Sequence, residues 1–224
     1  MVPVRFVSET LGAEVNWDGN AKRVSICTPP ESNPGDSTLP DPQKAGTNIL
    51  SSTTVTVEQA QAWARSRGAT QTFINLAPLY WRLAPERGVN PAGAYAQAAK
   101  ETGFGRFGGV LDESFRNPCG MKTTQGGDNY DPDAHQRFSS WEEGVTAHLD
   151  HLALYAGATG YPKEDTPDPR HFAVIKGRAA TFEDLGGKWA PSPDYGISIV
   201  RDYLATLLAY KSVNGEQEAV LNSQ

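Results

Sequence analysis

Cysteine is nearly absent from this chain of 224 residues: Cys27 and Cys119 are the only two, too few for a disulfide scaffold. Long apolar runs are missing as well. None reaches the ~18 residues that a membrane-spanning helix needs, so no membrane span is expected. Positive charge is in deficit. The 20 Lys and Arg against 26 Asp and Glu leave a net charge of −6, which argues against nucleic acid as a partner, because phosphate binding draws on a basic stripe. The opening residues Met1-Val2-Pro3-Val4-Arg5 show no basic-then-apolar leader, so an export signal is not expected among them. The glycine pairs in GGVLDES and GGKWAP lack the Lys-Ser/Thr of a phosphate loop. What is present in quantity is punctuation, 22 glycines and 16 prolines.

Those punctuating residues divide the chain. Thr28 to Asn48 holds five prolines, no aromatic residue and a single large aliphatic, Leu39. Such a stretch buries too little apolar surface to offset its ordering entropy and reads as an extended linker over 28–54. It separates a head, 1–27, from a body, 55–212, with a polar tail over 213–224. The head reads as a short helix from Val4 to Leu11 followed by two strands, Ala13–Trp17 and Arg23–Cys27, joined by the turn signal Asp18-Gly19-Asn20. At about 27 residues it falls below the ~40 required for an independent core. Its sequence VPVRFVSETLGAEVNWDGNAKRVSI resembles the C-terminal half of the repeat named for the copper amine oxidase N-terminal domain. No copper site is expected in it, since it has no histidine.

The body reads as mainly helical. Thr56-x-x-Gln59 has the form of a capping box opening a helix that ends near Arg67-Gly68. A second helix is expected over Phe73–Glu86. Pro91 suits the first position of a third, 91–102, rich in alanine and stopped by Gly103. Seven glycines and two prolines between Gly103 and Gln136 predict loop or short hairpin. Trp141–Ala156 is amphipathic. A last helix begins near Pro193-Asp194 and runs through Leu208, with Ile197, Val200, Leu204 and Leu207-Leu208 on its apolar face.

The sharpest local feature is AAKETGFGRFGG, residues 98–109. Glu101 stands in the last turn of a helix, where the negative end of the dipole and partial burial both raise a carboxyl pKa and suit it to general-acid work near neutrality. Gly103, Gly105, Gly108 and Gly109 let backbone approach a ligand closely, and Phe104 and Phe107 could stack on a flat sugar face. His148 and His151 lie three apart on one helix, but without the general-base pattern of HExxH no metal site is assigned to them. Nothing beside Cys119 would activate a thiol, so it is read as a small packed residue.

Four segments, in order, resemble glycoside hydrolase family 73, the bacterial endo-β-N-acetylglucosaminidase domain of peptidoglycan hydrolases. They are Glu101-Thr102-Gly103-Phe104-Gly105, Asn117-Pro118-Cys119-Gly120-Met121-Lys122, His135 to Glu143, and Trp189-Ala190-Pro191-Ser192-Pro193-Asp194-Tyr195. His135-Gln136 stands where the family usually has Phe-Arg. Trp189 stands where it usually has the first of two tyrosines. The resemblance implies a mainly α (α+β) lysozyme-like helical lobe, with a small flexible β-hairpin lobe and the αββ fragment in front. It implies cleavage of the β-1,4 bond after N-acetylglucosamine in peptidoglycan. Glu101 matches the general acid and Tyr195 a tyrosine that positions substrate or acid. Asp128, in the interval 123–134 that also holds Asp131 and Asp133, lies about where the family keeps a second carboxylate; the substrate's acetamido group is the alternative. Phe104, Tyr130, Trp141 and Trp189 are the candidates for lining the glycan groove. No cofactor or metal is required. The expected partner is the peptidoglycan strand, the expected state a monomer, and the expected location secreted or wall-associated, as an autolysin or a phage lysin. A lytic transglycosylase on the same substrate and a non-catalytic wall-binding module stay open as other readings.

Overall fold

The computed structural model describes residues 14–18, 23–27 and 46–210. In the head, β1 (Glu14–Asp18) and β2 (Arg23–Cys27) pair antiparallel, with Trp17 opposite Val24 and Glu14 opposite Cys27. They form a two-stranded ribbon, in a unit distinct from the helical body. The helix expected over Val4–Leu11, the turn tip, the linker through residue 45 and the tail lie outside the described residues.

The body is mainly α. Helix α1 (Val57–Ser66) starts where Thr56 Oγ1 accepts the Gln59 amide at 3.2 Å. Only that half of the expected capping box forms. The Gln59 side chain instead donates to the carbonyls of Leu207 and Tyr210, tying α1 to the last helical stretch. Helix α2 (Gln71–Leu83) contains Pro78. A proline there cannot donate to the carbonyl of Ile74, and the Gln61 amide takes that acceptor at 3.4 Å. The helix runs on past Pro78 and stops at Leu83 rather than Glu86, because Pro85 has no N–H to continue it, and a 3₁₀ turn, Pro85–Arg87, follows.

Helix α3 (Pro91–Thr102) is the axis of the body. Asn90 caps it, accepting from Ala92 and Gly93 amides at 3.0 and 3.2 Å, and Pro91 begins it without a donor to satisfy. Nearly every residue along it is buried, because alanine and glycine let neighbours close in from all sides. A Cβ at Gly93 would stand 2.2 Å from the Phe182 ring. Tyr95, fully buried, packs its ring on Phe73 at 4.6 Å and on Tyr80, Trp81 and Trp63 at 5.7, 5.9 and 6.1 Å. Helix α4 (Trp141–Tyr155) begins at Ser140, whose hydroxyl accepts the Glu143 amide at 3.1 Å.

Two expectations need correction. The hairpin lobe is reduced to one antiparallel bridge, Lys122 to His135, flanked by Thr123 N–H to Ala134 O at 3.0 Å and Gln136 N–H to Met121 O at 2.9 Å. Short 3₁₀ turns at Glu113–Phe115 and Pro132–Ala134 occupy the rest of that stretch, since Pro132 and the paired glycines break any ladder. The last helix is not uniform either. It runs as α5 (Tyr195–Ser198), a π segment (Ile199–Leu204) and α6 (Ala205–Leu208). Its buried large residues are Tyr195, Ile199, Leu204 and Leu207, spaced by four, five and three, and the five-residue step is the wider π turn. Ile197 and Leu208, placed on the apolar face by a constant 3.6 period, are 47% and 52% exposed.

Candidate active site

Glu101 sits in the last turn of α3, and Gly103 closes the helix in the left-handed conformation at φ 56°. The two carboxyl oxygens face different surroundings. Oε1 accepts the hydroxyl proton of Tyr195, the first residue of α5. Oε2 faces Gly120, where a Cβ would stand 3.3 Å away. Gly120 itself has φ +64°, so a side chain there would be strained as well as close.

The loop carrying Gly120 is held by Asn117, which is completely buried. Its Oδ1 accepts from the Met121 amide at 3.0 Å, and its Nδ2 donates to the carbonyls of Met121 and Gln136 at 2.8 and 3.0 Å. One side chain thus closes the 117–121 turn and joins it to the strand-like stretch at 136. Cys119 and Met121 of this loop pack with Phe138 and Ala147, and Trp189 covers that cluster. Cys119 is a free thiol, 2% exposed and pushed well above its usual range by burial and by the Glu101 and Asp168 charges, which agrees with a packing role.

Burial raises the Glu101 carboxyl to about 7, against the opposing pull of the Tyr195 hydrogen bond and the Lys100 charge. A carboxyl with that value keeps its proton in about half of the molecules at pH 7 and so suits proton transfer near neutrality. Tyr195, 6% exposed and surrounded on the same side by Glu101, is pushed far above the ordinary phenol range by burial and keeps its own proton. The ammonium of Lys100 lies 5.5 Å from the Tyr195 ring centroid and 5.8 Å from that of Tyr203.

Behind Tyr195 the polar contacts continue inward. Gln97, one turn before Glu101 on α3 and fully buried, donates from Nε2 to the Tyr195 hydroxyl at 2.9 Å. His148 Nε2 lies 3.1 Å from Gln97 Oε1, and His148 Nδ1 lies 2.7 Å from the Tyr80 hydroxyl. Burial, reinforced by the His151 charge, lowers the His148 imidazole to about 3, so it is neutral. Sequence reasoning did not reach Gln97. The signal was there: a lone amide in the middle of an alanine-rich helix, four residues before Glu101.

The remaining candidates divide. Trp189 is half-buried between α4 and the 117–121 loop, with His151 at 5.0 Å, His148 at 5.5 Å and Tyr155 at 6.0 Å from its ring. Trp141 is half-buried at the start of α4, and Tyr130 is 86% exposed. Phe104 is a correction. It is only 6% exposed, wedged against Trp63 at 5.1 Å and against Phe73 and Tyr203 at 5.8 Å, so its faces are spent on the core and offer nothing to a sugar. Asp128 is exposed and caps a local turn, its Oδ1 accepting the Tyr130 amide at 2.8 Å. The structure brings Tyr195 to Glu101 but does not bring Asp128 to either.

The other histidines are taken up by hydrogen bonds. Asp168 Oδ2, buried, accepts from His151 at 2.7 Å and His171 at 2.9 Å. His135 Nδ1 lies 2.9 Å from the Asp131 carbonyl. Among the described residues no group of three or more His, Cys, Asp or Glu side chains has the arrangement of a metal site.

The chain carries a glycoside hydrolase domain. It belongs to the glucosaminidase family, described as mannosyl-glycoprotein endo-β-N-acetylglucosaminidase, whose pattern it matches over residues 77–204. Residues 1–32 match the copper amine oxidase N-terminal domain. A protein of Borreliella burgdorferi described as uncharacterized is 35% identical over 127 residues, 57% of this chain and 59% of that relative. The chain therefore spans less than two thirds of the relative's length.

Proposed function

We propose that the protein is an endo-β-N-acetylglucosaminidase that hydrolyses the β-1,4 bond after N-acetylglucosamine in bacterial peptidoglycan, with Glu101 as general acid. The observation that carries this reading is the split environment of the Glu101 carboxyl. Oε1 is occupied by the Tyr195 donor, so the acid proton resides on Oε2, the oxygen beside the side-chain-free Gly120. A glycosidic oxygen entering over Gly120 meets that proton. As the C–O bond breaks, the proton passes from Oε2 to the leaving oxygen, and the sugar ring takes on oxocarbenium character. The Tyr195 donor then stabilises the carboxylate left on Glu101. Water adds to the anomeric carbon and returns a proton to Glu101. The oxocarbenium-like centre is met from the opposite face by the substrate's acetamido carbonyl or by Asp128. Trp189, Trp141 and Tyr130 offer aromatic surface to the glycan. A wall substrate places the chain outside the cytoplasmic membrane or in a phage lysin, and a glycan can be held by stacking and hydrogen bonds despite the acidic net charge.

The test is end-group analysis of digested peptidoglycan. New reducing N-acetylglucosamine ends are expected from the unmodified protein, with at least a ~10³-fold loss in Glu101→Gln. Full lysis by that variant would refute the acid, and 1,6-anhydro ends would convert the enzyme into a transglycosylase. In the same assay Asp128→Asn distinguishes the two partners: a drop of ~10²-fold assigns Asp128, and undiminished activity assigns the acetamido group.

A further inference from the structure

We propose that Gln97, His148 and Tyr80 are positioning residues for the acid, forming a one-way string of hydrogen bonds that commits the Tyr195 hydroxyl to Glu101 Oε1 and so fixes the acid proton on Oε2. This rests on the reading of Glu101 as the general acid. The direction of every bond follows from what each atom can do. Gln97 Oε1 is a carbonyl oxygen and only accepts, so the hydrogen in its 3.1 Å contact belongs to His148 Nε2. A neutral imidazole has one N–H, so His148 Nδ1 is an acceptor and Tyr80 donates to it at 2.7 Å. With Oε1 engaged, Gln97 presents its NH₂ to Tyr195 at 2.9 Å. The tyrosine oxygen thereby receives a hydrogen and turns its own toward Glu101. Tyr80, His148, Gln97 and Tyr195 each donate one step toward the Glu101 carboxyl, and they come from α2, α4, α3 and α5 in turn, with Glu101 on α3 as the final acceptor.

The burial of the string makes it decisive. Gln97, His148 and Tyr80 are completely shielded, so no water can substitute for a missing partner without a rearrangement. Removing the His148 donor lets the Gln97 amide turn over. Its carbonyl would then face Tyr195, which would donate to Gln97 instead of Glu101. The charged or titratable groups facing the string are few. Lys100 acts on Glu101, Glu101 and the Cys119 thiol on Tyr195, His151 and Asp168 on His148, and Tyr95 and Cys119 on Tyr80.

The test compares Gln97→Met, His148→Asn and Tyr80→Phe with the unmodified protein. Two measurements are made, the pH profile of wall hydrolysis and the NMR titration of the Glu101 side-chain carboxyl carbon, assigned with Glu101→Gln. Loss of the Tyr195 donation removes an interaction that favours the carboxylate, so the Glu101 midpoint and the basic limb of kcat/KM are expected to move to higher pH. A shift of about half a unit or more is expected, with kcat falling at least ~10-fold and KM within about twofold. His148→Asn, which frees the Gln97 carbonyl to compete for the Tyr195 hydrogen, should shift most and Tyr80→Phe least. A folded Gln97→Met with unmoved midpoint and limb, or with a change in KM alone, overturns the proposal. If Gln97→Met and His148→Asn fail to fold, Tyr80→Phe, which deletes one hydroxyl, decides it by the same midpoint. If the unmodified protein releases no reducing ends while the midpoint still moves, the hydrolase reading fails and the positioning role stands.

Discussion

Glu101 shows how much a single residue's surroundings can cost. A carboxyl raised from 4.5 to about 7 on folding binds its proton more tightly in the folded chain than in the unfolded one. Below pH 4.5 both states are protonated and the residue is neutral to stability. Between pH 4.5 and 7 the unfolded chain sheds the proton first, so stability falls as pH rises, and above 7 the full penalty applies. Glu101→Gln, an isosteric replacement that carries no charge, should raise stability at pH 8 by roughly 2 kcal/mol, a value reduced for partial solvent access, and by little at pH 4. Urea unfolding at the two pH values measures it. Equal gains at both would locate the effect in packing instead. The raised carboxyl at Glu101 was legible from sequence, because a place in the last turn of a helix and partial burial both push a carboxyl upward. The contacts of Gln97 and His148 were not, since they form only where α3, α4 and α5 meet.

At the scale of elements, periodicity located α1 to α4 well, and the errors have physical causes. Pro78 does not break α2, because Gln61 supplies the lost partner of Ile74 from another helix, a compensation that local sequence cannot display. The last helix departs from a 3.6 period because one turn is widened between Ile199 and Leu204. That turn sets the rotation of Tyr195 relative to Leu204 and Leu207. Deleting Val200 should convert the π segment to regular α-helix and rotate Tyr195 by about 100° about the helix axis relative to the residues that anchor it. The hydroxyl would leave Glu101, and hydrolysis is expected to drop at least ~10²-fold with helix content preserved by circular dichroism. Retained activity would show that the π turn has no part in aiming Tyr195. Phe104 was misjudged for a related reason: a phenylalanine in a glycine-rich stretch looks exposed, yet its backbone bends to φ +61° to bury the ring.

Over the whole molecule, the joining of Arg87 and the stretch from 161 to 166 to α4 depends on one buried charge. Asp150 on α4, 1% exposed, accepts from Arg87 at 2.7 Å, Tyr161 at 2.6 Å, Thr166 at 2.7 Å and Lys163 at 3.3 Å. Burial opposes the charge, but the Tyr161 and Thr166 hydrogen bonds and the Arg87 charge outweigh it and hold the carboxyl below its usual range. The stabilisation is present at neutral pH and is lost as pH falls through the depressed value. Asp150→Ala would leave the Arg87 guanidinium, itself 9% exposed, without its main partner, and a loss of about 3–5 kcal/mol is expected in chemical denaturation. A loss below ~1 kcal/mol would mean the loop from 161 to 168 is held by other contacts.

The free thiol of Cys119 gives the 117–121 loop a built-in clock. It sits one residue from Gly120, shut away from reagents and kept as an unreactive thiol by its surroundings. Alkylation at that sulphur can therefore proceed only while the Asn117 staple is open. With Cys27 replaced by serine, the labelling rate reads how often the loop beside Glu101 breathes, and a glycan fragment bound over Gly120, as the proposed function requires, is expected to slow that count by the fraction of time it is bound.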